Sequence, residues 1–146
     1  MANIFLDIGN NAVSGQSIVP VAVTTSVAGT YVDLIDSNAN MASALMQVGA
    51  VSGTQGTFDV KMQESTATNS GFTDITGATF TQFTTTGLTS GGAVQIISFQ
   101  RQKRYVRSYV TVAGTVTSAL LGVSVFSQRA TTPASSGGFQ NEQGAS

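Results

Sequence analysis

Apolar and polar residues alternate in several short stretches of this chain. The clearest is residues 58–63, FDVKMQ, in which every second residue is apolar. Because successive side chains of a strand point to opposite faces, this pattern predicts a strand with a buried and a solvated face. Residues 41–51 mix helical and strand spacing, but Gly49 and the β-rich surroundings favour a strand. Three more strands are predicted at residues 93–99, 104–113 and 119–126.

Glycine and threonine separate these stretches, a spacing typical of an all-β domain. Residues 52–56, SGTQG, are predicted to form the hairpin between the strands at 41–51 and 58–62. Residues 113–118 are predicted to form the last hairpin, and residues 65–92 a long connection between two sheets. Together these elements predict a single all-β domain, an antiparallel β-sandwich or barrel, with extended N- and C-terminal arms.

The chain of 146 residues is long enough for one domain with a real core. We assign residues 1–17 to an N-terminal arm and residues 18–128 to the sandwich domain. Pro20 predicts an edge position or the start of a strand, because proline has no N–H to donate to a neighbour. Residues 129–146, rich in Ser and Gly, are predicted to be a flexible tail that becomes ordered only on a partner.

Composition removes most catalytic and metal chemistry. The sequence has no Cys and no His, so thiolates, imidazoles and the usual zinc ligands are missing. The seven acids form no motif that pairs two of them as acid and base. Residues 36–40, DSNAN, match the start of a calcium loop, but Met41 and Gln47 stand where that loop needs Gly and Glu. We therefore expect no enzyme, no metal and no cofactor.

The low charge of the chain and the lack of a long apolar run argue against two classes of partner. The formal net charge is −1 and 9% of the residues are charged. A protein that binds nucleic acid is usually strongly basic, so no nucleic-acid partner is expected. No run of eighteen apolar residues is present, so no membrane partner is expected either.

Four of the six basic residues lie in one short stretch, which we call the basic segment, residues 101–107. In a strand beginning there, Tyr105, Arg107 and Tyr109 share one face, and Val106, Ser108 and Val110 the other. Arginine stacks on aromatic rings and binds carboxylates with two parallel hydrogen bonds. The candidates for an interface are Arg101, Lys103, Arg104, Tyr105, Arg107 and Tyr109.

The members of the basic segment have different predicted roles. Arg107, between two tyrosines, is predicted to pair with a buried or subunit-interface acid, and the candidates are Asp33, Glu64 and Asp74. For Arg101 and Lys103 two interpretations stay open. They take part in the interface, or they form a solvated strand end that discourages aggregation between sheet edges.

The order of several short strings resembles a known group of proteins. These strings are FDVKMQES at 58–65, FTDITG at 72–77, KRYVR at 103–107 and TVAGT at 111–115. Over about residues 30–127 the chain resembles the capsid decoration, or cement, proteins of tailed bacteriophages, including the cement protein of a Bordetella phage. The resemblance implies a single antiparallel β-sandwich, jelly-roll-like, that forms a homotrimer on the outer capsid surface of a virion. Its partner there would be the major capsid protein, whose neighbouring subunits it would clamp together.

A second function from a different class stays open. A receptor- or carbohydrate-binding β-sandwich of a head fibre or tail tip presents exposed aromatic side chains beside polar groups. Tyr31, Tyr105 and Tyr109 are the candidates of that kind. A hydrolase that uses carboxylates is the third hypothesis and has the least support from the sequence.

Overall fold

The computed structural model describes residues 12–35, 37, 40–87 and 92–128, and within these ranges the protein is all-β. Eight strands are present there: β1 (Ala12–Ala22), β2 (Val27–Ala28), β3 (Val32–Asp33), β4 (Met41–Ser65), β5 (Thr73–Thr79), β6 (Phe83–Thr84), β7 (Ala93–Gln100) and β8 (Tyr105–Gln128). No helix of the described residues is long and apolar enough to cross a membrane.

Two very long strands form the centre of the sheet. β4 has 25 residues and β8 has 24, and they pair antiparallel from Ala42 opposite Ser127 to Ser65 opposite Tyr105. β1, β2 and β3 pair with β8 on one side, while β5, β6 and β7 pair with β4 on the other. All eight strands therefore belong to one hydrogen-bonded antiparallel sheet.

This sheet is folded back on itself. At about 3.3 Å per residue, a flat strand of the length of β4 would hold its two ends roughly 80 Å apart. Gln100 of β7 lies opposite one end of β4, at Met41, and Tyr105 of β8 lies opposite the other end, at Ser65. The connection through residues 101–104 spans at most about 18 Å. The two ends of β4 are therefore close together, and the sheet makes two layers.

Bulges at the middle of β4 and β8 bend the sheet back on itself. Gly53 and Gln55 of β4 and Gly114 of β8 have positive φ angles of 144°, 56° and 76°. The pairing of β4 with β8 shifts register at three places between Val48 and Thr57. A bulge adds an unpaired residue and bends the strand, so this cluster of bulges turns both strands together. A Cβ atom on Gly114 would overlap the carbonyl oxygen of Gln55.

Two predicted hairpins are wrong. Residues 52–56 and 113–118 do not reverse the chain, but are the bulged middle parts of β4 and β8. A turn and a bulge both need residues that tolerate positive φ, so glycine marks either one. The predicted long connection at 65–92 is also wrong, because it contains β5 and β6, both paired with β4.

The two layers enclose one hydrophobic core. Phe58, Val60 and Met62 are at most 1% exposed, which confirms the alternation predicted for residues 58–63. The same core receives side chains from the other half of the long strands: Ala42, Ala44, Met46, Val48, Leu121, Val123 and Val125. The prediction of an all-β antiparallel fold is confirmed, and a sandwich or jelly roll is consistent with this arrangement.

Buried serines join the layers at one side. Ser17 of β1 belongs to one layer and Ser108 of β8 to the other. The Ser17 hydroxyl accepts hydrogen bonds from the Ser108 backbone N–H at 2.7 Å and from the Ser108 hydroxyl at 2.9 Å. Thr30 donates its N–H to the Ser17 carbonyl, and Gly29 donates to that of Ser108. β1 lies at one end of the strand order, which confirms the edge position for Pro20. The alternative of a strand start is wrong, because β1 begins at Ala12.

The predicted arms lie mostly outside the described residues. Residues 12–17 form the first part of β1, paired with the end of β8. Residues 1–11 and 129–146 are not among the described ones, so the division into arms and domain stays a prediction.

We predict that Gly114→Ala destabilises the protein more than Gly77→Ala. Both glycines have nearly the same φ, 76° and 78°. Alanine costs about 1–2 kcal/mol at either position because of that backbone conformation. Only at position 114 does the new methyl group also meet backbone, since no atom lies within 4 Å of a Cβ at Gly77.

The free energies of unfolding in urea give this comparison directly. Gly114→Ala should lose at least about 2 kcal/mol more than Gly77→Ala, a cost typical of overpacking a rigid site. An equal loss for both variants would show that the bulge is not sterically closed.

Candidate interface around the basic segment

The basic segment begins where the two ends of the folded sheet meet. Residues 101–104 connect β7 with β8, and residues 105–107 start β8. Val106, Ser108 and Val110 are fully buried, and Tyr105, Arg107 and Tyr109 are half-buried on the opposite face. The predicted division of the two faces is therefore confirmed.

Glu64 holds the connection between β7 and β8. This residue of β4 is 8% exposed, and its Oε2 accepts the backbone N–H groups of Gln102 at 2.7 Å and Lys103 at 3.1 Å. Hydrogen bonds from N–H groups to an ionised carboxylate are among the stronger ones in proteins. A charge near the end of β4 thus fixes the backbone from which the basic side chains project.

Arg101 connects backbone segments through hydrogen bonds from its side chain. Its guanidinium group donates to the carbonyl oxygens of Ser37 at 3.0 Å, Leu34 at 3.3 Å and Lys103 at 2.9 Å. Burial lowers the pKa of Arg101, and the nearby Glu64 charge opposes this shift. The interpretation of Arg101 as a solvated strand end is wrong, because the side chain is half-buried and joins the segment at Leu34 and Ser37 to that at Lys103.

Arg104 forms a salt bridge with Asp33 through two hydrogen bonds, the geometry that a guanidinium group favours with a carboxylate. Its Nε and Nη2 donate to Oδ1 and Oδ2 of Asp33, each at 2.8 Å. The Arg104 guanidinium also lies 4.9 Å from the centre of the Tyr105 ring, and Tyr31 packs edge-on against that ring at 5.2 Å. The hydrogen bond from Arg104 holds the pKa of Asp33 below its usual value. Tyr31, Asp33, Arg104 and Tyr105 form a cluster that we call the tyrosine rim.

Arg107 has a different partner from the one predicted. Its Nε donates to Oε1 of Gln63 at 3.0 Å, and its guanidinium stacks over the Phe72 ring, 4.0 Å from the centre. The prediction of an acid partner within the described chain is wrong. Gln63 lies directly opposite Arg107 in the β4–β8 pairing, so register decides this contact. A contact with an acid of another subunit stays a prediction.

The remaining candidate acid, Asp74, belongs to a third group. Lys61 donates to its Oδ2 at 2.6 Å and Gln63 to its Oδ1 at 2.8 Å. These hydrogen bonds, the one from Lys61 first, lower the pKa of Asp74. Lys61 also lies 5.8 Å from the centre of the Tyr109 ring. Gln63 therefore links the Lys61–Asp74 pair to Arg107.

The outer side of this layer is a polar surface that we call the charged face. It carries Asp59, Lys61, Gln63, Asp74, Arg107 and Tyr109. Lys103 adds a hydrogen bond from its Nζ to the Thr73 hydroxyl at 3.1 Å, in an exposed position. Sequence reasoning missed Gln63 and Phe72 as partners of Arg107. The outward position of Gln63 follows from the alternation at 58–63, but its neighbour across the sheet does not.

A shallow polar cavity lies at the edge of the charged face. Its volume is about 330 Å³, and it is lined by Glu64, Asp74, Ile75, Thr76, Gln100 and Gln102. Among the described residues there is no cluster of three acidic side chains arranged to hold a metal ion. The predicted polar turn at 36–40 lies largely outside the described residues.

Comparison with known proteins finds solved structures of low similarity. No protein-family model matches the chain, and no curated protein matches it. The SPBc2 prophage-derived protein YomS is 12% identical, with a TM-score of 0.46, over 80% of this chain and 92% of that one. The PBSX exported protein XepA is 13% identical, with a TM-score of 0.49, over 92% of this chain and 41% of that one.

A third similar structure is that of Bacillus endospore appendages, described as a family of disulfide-linked pili. It is 7% identical, with a TM-score of 0.43, over 83% of this chain and 90% of that one. At these identities and TM-scores, none of the three similarities defines the function of this protein.

We predict that Arg107→Ala destabilises the fold more than Lys103→Ala. Arg107 loses a stacking contact and a hydrogen bond and leaves the Phe72 ring uncovered, a loss of about 1–2 kcal/mol. Lys103 is bound through one exposed contact, so its loss should stay within about 0.5 kcal/mol. Urea unfolding measures both, and equal, negligible losses would contradict the role given to Arg107.

We predict that the stabilising effect of Asp33 disappears in acid. The pKa of Asp33 is lowered in the folded protein, so its contribution is present above the ordinary aspartate pKa and is lost as pH falls through the lowered value. Wild type should therefore be more stable than Asp33→Asn at pH 7, and the difference should shrink from about pH 4 downward. Melting temperatures of both proteins at pH 3–7 test this, and a constant difference would contradict it.

Proposed function

We propose that this protein is a structural component of a tailed-bacteriophage virion. In this proposal it binds the outside of the capsid as a homotrimer and cements neighbouring subunits of the major capsid protein. The short strings that resemble cement proteins suggest this role, and three of them lie in the layer that carries the charged face. Its work would be binding, with no chemical reaction.

The observation that carries the proposal is that charged side chains around the basic segment bind backbone groups or each other within the chain. Glu64 and Arg101 hold backbone segments, and Arg104 pairs with Asp33. Lys61 pairs with Asp74. These contacts make the region around the basic segment rigid, and a rigid surface loses little entropy when it binds. Such an arrangement suits a protein that presents fixed faces to its neighbours.

Repetition would supply the strength of binding. A capsid offers many equivalent positions, and a trimer that contacts several subunits at once converts modest contacts into avid attachment. Polar side chains such as Gln63 and Tyr109 suit a wet interface in which waters bridge the partners. Residues 1–17 and 129–146 are the segments that we expect to reach neighbouring subunits.

Co-sedimentation with capsids tests the proposal. The purified protein should sediment with capsids of its phage that lack it, and a cryo-EM map of the particles should place it on the outer surface. The doubly substituted variant Tyr109→Ala/Gln63→Ala on the charged face should bind at least about tenfold more weakly if that face contacts the capsid. A protein that stays in the supernatant at every concentration would refute the cement role.

A matched control separates binding from folding. Thr86→Ala changes an exposed residue next to β6. Within the chain this substitution removes one hydrogen bond between the hydroxyl groups of Thr86 and Thr84. It should bind capsids as the wild type does. Removal of residues 129–146 with unchanged occupancy would exclude that arm from attachment.

The tyrosine rim favours a second candidate function, the binding of a carbohydrate receptor. Tyr31 is 39% exposed and stands edge-on to Tyr105, beside the polar pair of Arg104 and Asp33. Sugars bind where an aromatic surface lies next to such polar groups. A glycan-array signal that Tyr31→Ala removes, together with no binding to capsids, would favour this function over the first.

A further inference from the structure

The layer opposite the charged face has an outer surface of a different kind. It is built from β1, the second half of β8, the first half of β4, and β7. Rows of residues run across these strands: Ser98–Ser43–Phe126–Ser14, then Ile96–Leu45–Ser124–Gln16, then Val94–Gln47–Gly122. Pro20 covers Gly122, and Leu120 lies against Gly49. We call this surface the neutral face.

Apolar side chains on the neutral face are strongly exposed. Val94 and Ile96 are each 61% exposed, and Leu120 is 49% exposed. Between them lie short polar side chains, such as Ser43 and Ser98, whose hydroxyl oxygens are 2.9 Å apart. Exposed apolar groups mixed with small polar ones are typical of the composition of protein interfaces.

Charge is absent from the strands that build the neutral face. The nine charged residues within the described ranges lie in the other layer or in the connections next to it: Asp33, Asp59, Lys61, Glu64, Asp74, Arg101, Lys103, Arg104 and Arg107. β1, β7 and the parts of β4 and β8 that belong to the neutral face contain no acidic or basic residue. A sheet surface that only faces water usually carries charges that keep it soluble and unpaired.

The neutral face is large enough for a specific interface. Four strands about 4.8 Å apart, with outward side chains over about 25 Å of strand, cover roughly 500 Å². Two such faces together would bury about 1,000 Å², the lower limit of specific protein interfaces.

We propose that the neutral face binds a second copy of this chain. A charged partner would lose the hydration of its charges there without gaining a partner for them. A second copy brings a surface that is equally free of charge, so contact of the two neutral faces buries no unpaired charge and meets no repulsion. Among possible occupants, an identical face is therefore the one whose charge matches best. The charged face of each copy stays available for other partners.

This inference identifies the surface for self-association and does not require the proposed role on a capsid. The molar mass of the full chain, measured by sedimentation over a range of concentrations, tests it without any capsid. Contact between two identical faces joins copies in pairs and is separate from the threefold contacts of the proposed homotrimer. The molar mass of the wild type should therefore reach an even multiple of the monomer mass. Ile96→Lys places a charge at an exposed position of the face and should weaken association at least about tenfold, as expected for one unpaired interfacial charge.

Thr111→Lys is the matched control, since it adds the same charge at an exposed position of β8 opposite Asp59, on the charged face. It should associate as the wild type does. Val94→Lys is a second test on the neutral face, and melting curves show which variants are folded. A wild type that is monomeric at every concentration, or folded Ile96→Lys and Val94→Lys proteins with unchanged mass, would overturn the inference.

Failure of this inference differs from failure of the cement role. Loss of capsid binding with intact oligomers would refute the cement role alone. A wild type that binds capsids but whose mass never reaches an even multiple of the monomer mass would refute self-association through the neutral face alone.

Discussion

The pairing of β4 with β8 is the interaction on which the rest of the structure depends. Every other strand of the described residues pairs with one of these two. Extended and flat, the pair would be about twice as long as a domain of this size is wide, roughly 40 Å. Only a fold at the bulges near Gly53 and Gly114 allows the inner sides of both halves to share one core. The conformational freedom of glycine at these positions therefore decides the architecture.

Folding one sheet also gives the molecule two outer surfaces of opposite character. The half of β4 after the bulges carries Asp59 and Lys61, and the half before them carries no charge. Because β8 runs antiparallel to β4, its first residues join the charged layer and its last residues the neutral one. Charge that is uneven along the chain thus becomes charge that is uneven between two faces. One face suits polar and water-mediated contacts, and the other suits close contact with an uncharged surface.

The basic segment has mainly structural roles within the chain. It lies where the ends of the two layers meet, so its side chains are close to backbone from several segments. Arg101 donates to three carbonyl groups, and Glu64 accepts from the backbone of Gln102 and Lys103. The outward residues Arg107 and Tyr109 extend this ordered region onto the charged face. An interface there would be formed in advance of binding, which reduces the entropy lost on association.

The pattern of apolar and polar residues was sufficient to predict the buried and exposed faces of the strands. Alternation is a local property of an extended chain, so Phe58, Val60 and Met62 could be assigned to the core without knowledge of their neighbours. The division of Tyr105, Arg107 and Tyr109 from Val106, Ser108 and Val110 follows from the same rule. The all-β class and the edge position of Pro20 were predictable for similar local reasons.

Two features could not be predicted without the three-dimensional structure. One is whether the glycine-rich segments form turns or bulges, and the other is which side chains contact each other across the sheet. Gly53 and Gly114 tolerate positive φ in either case, and the choice depends on whether β4 and β8 gain more by staying paired along their whole length. The partner of Arg107 depends on register: Gln63 lies opposite it, while Asp33 and Asp74 are nearer to other cations. The neutral face likewise could not be predicted from the sequence, because its strands are far apart along the chain and form one surface only when they pair.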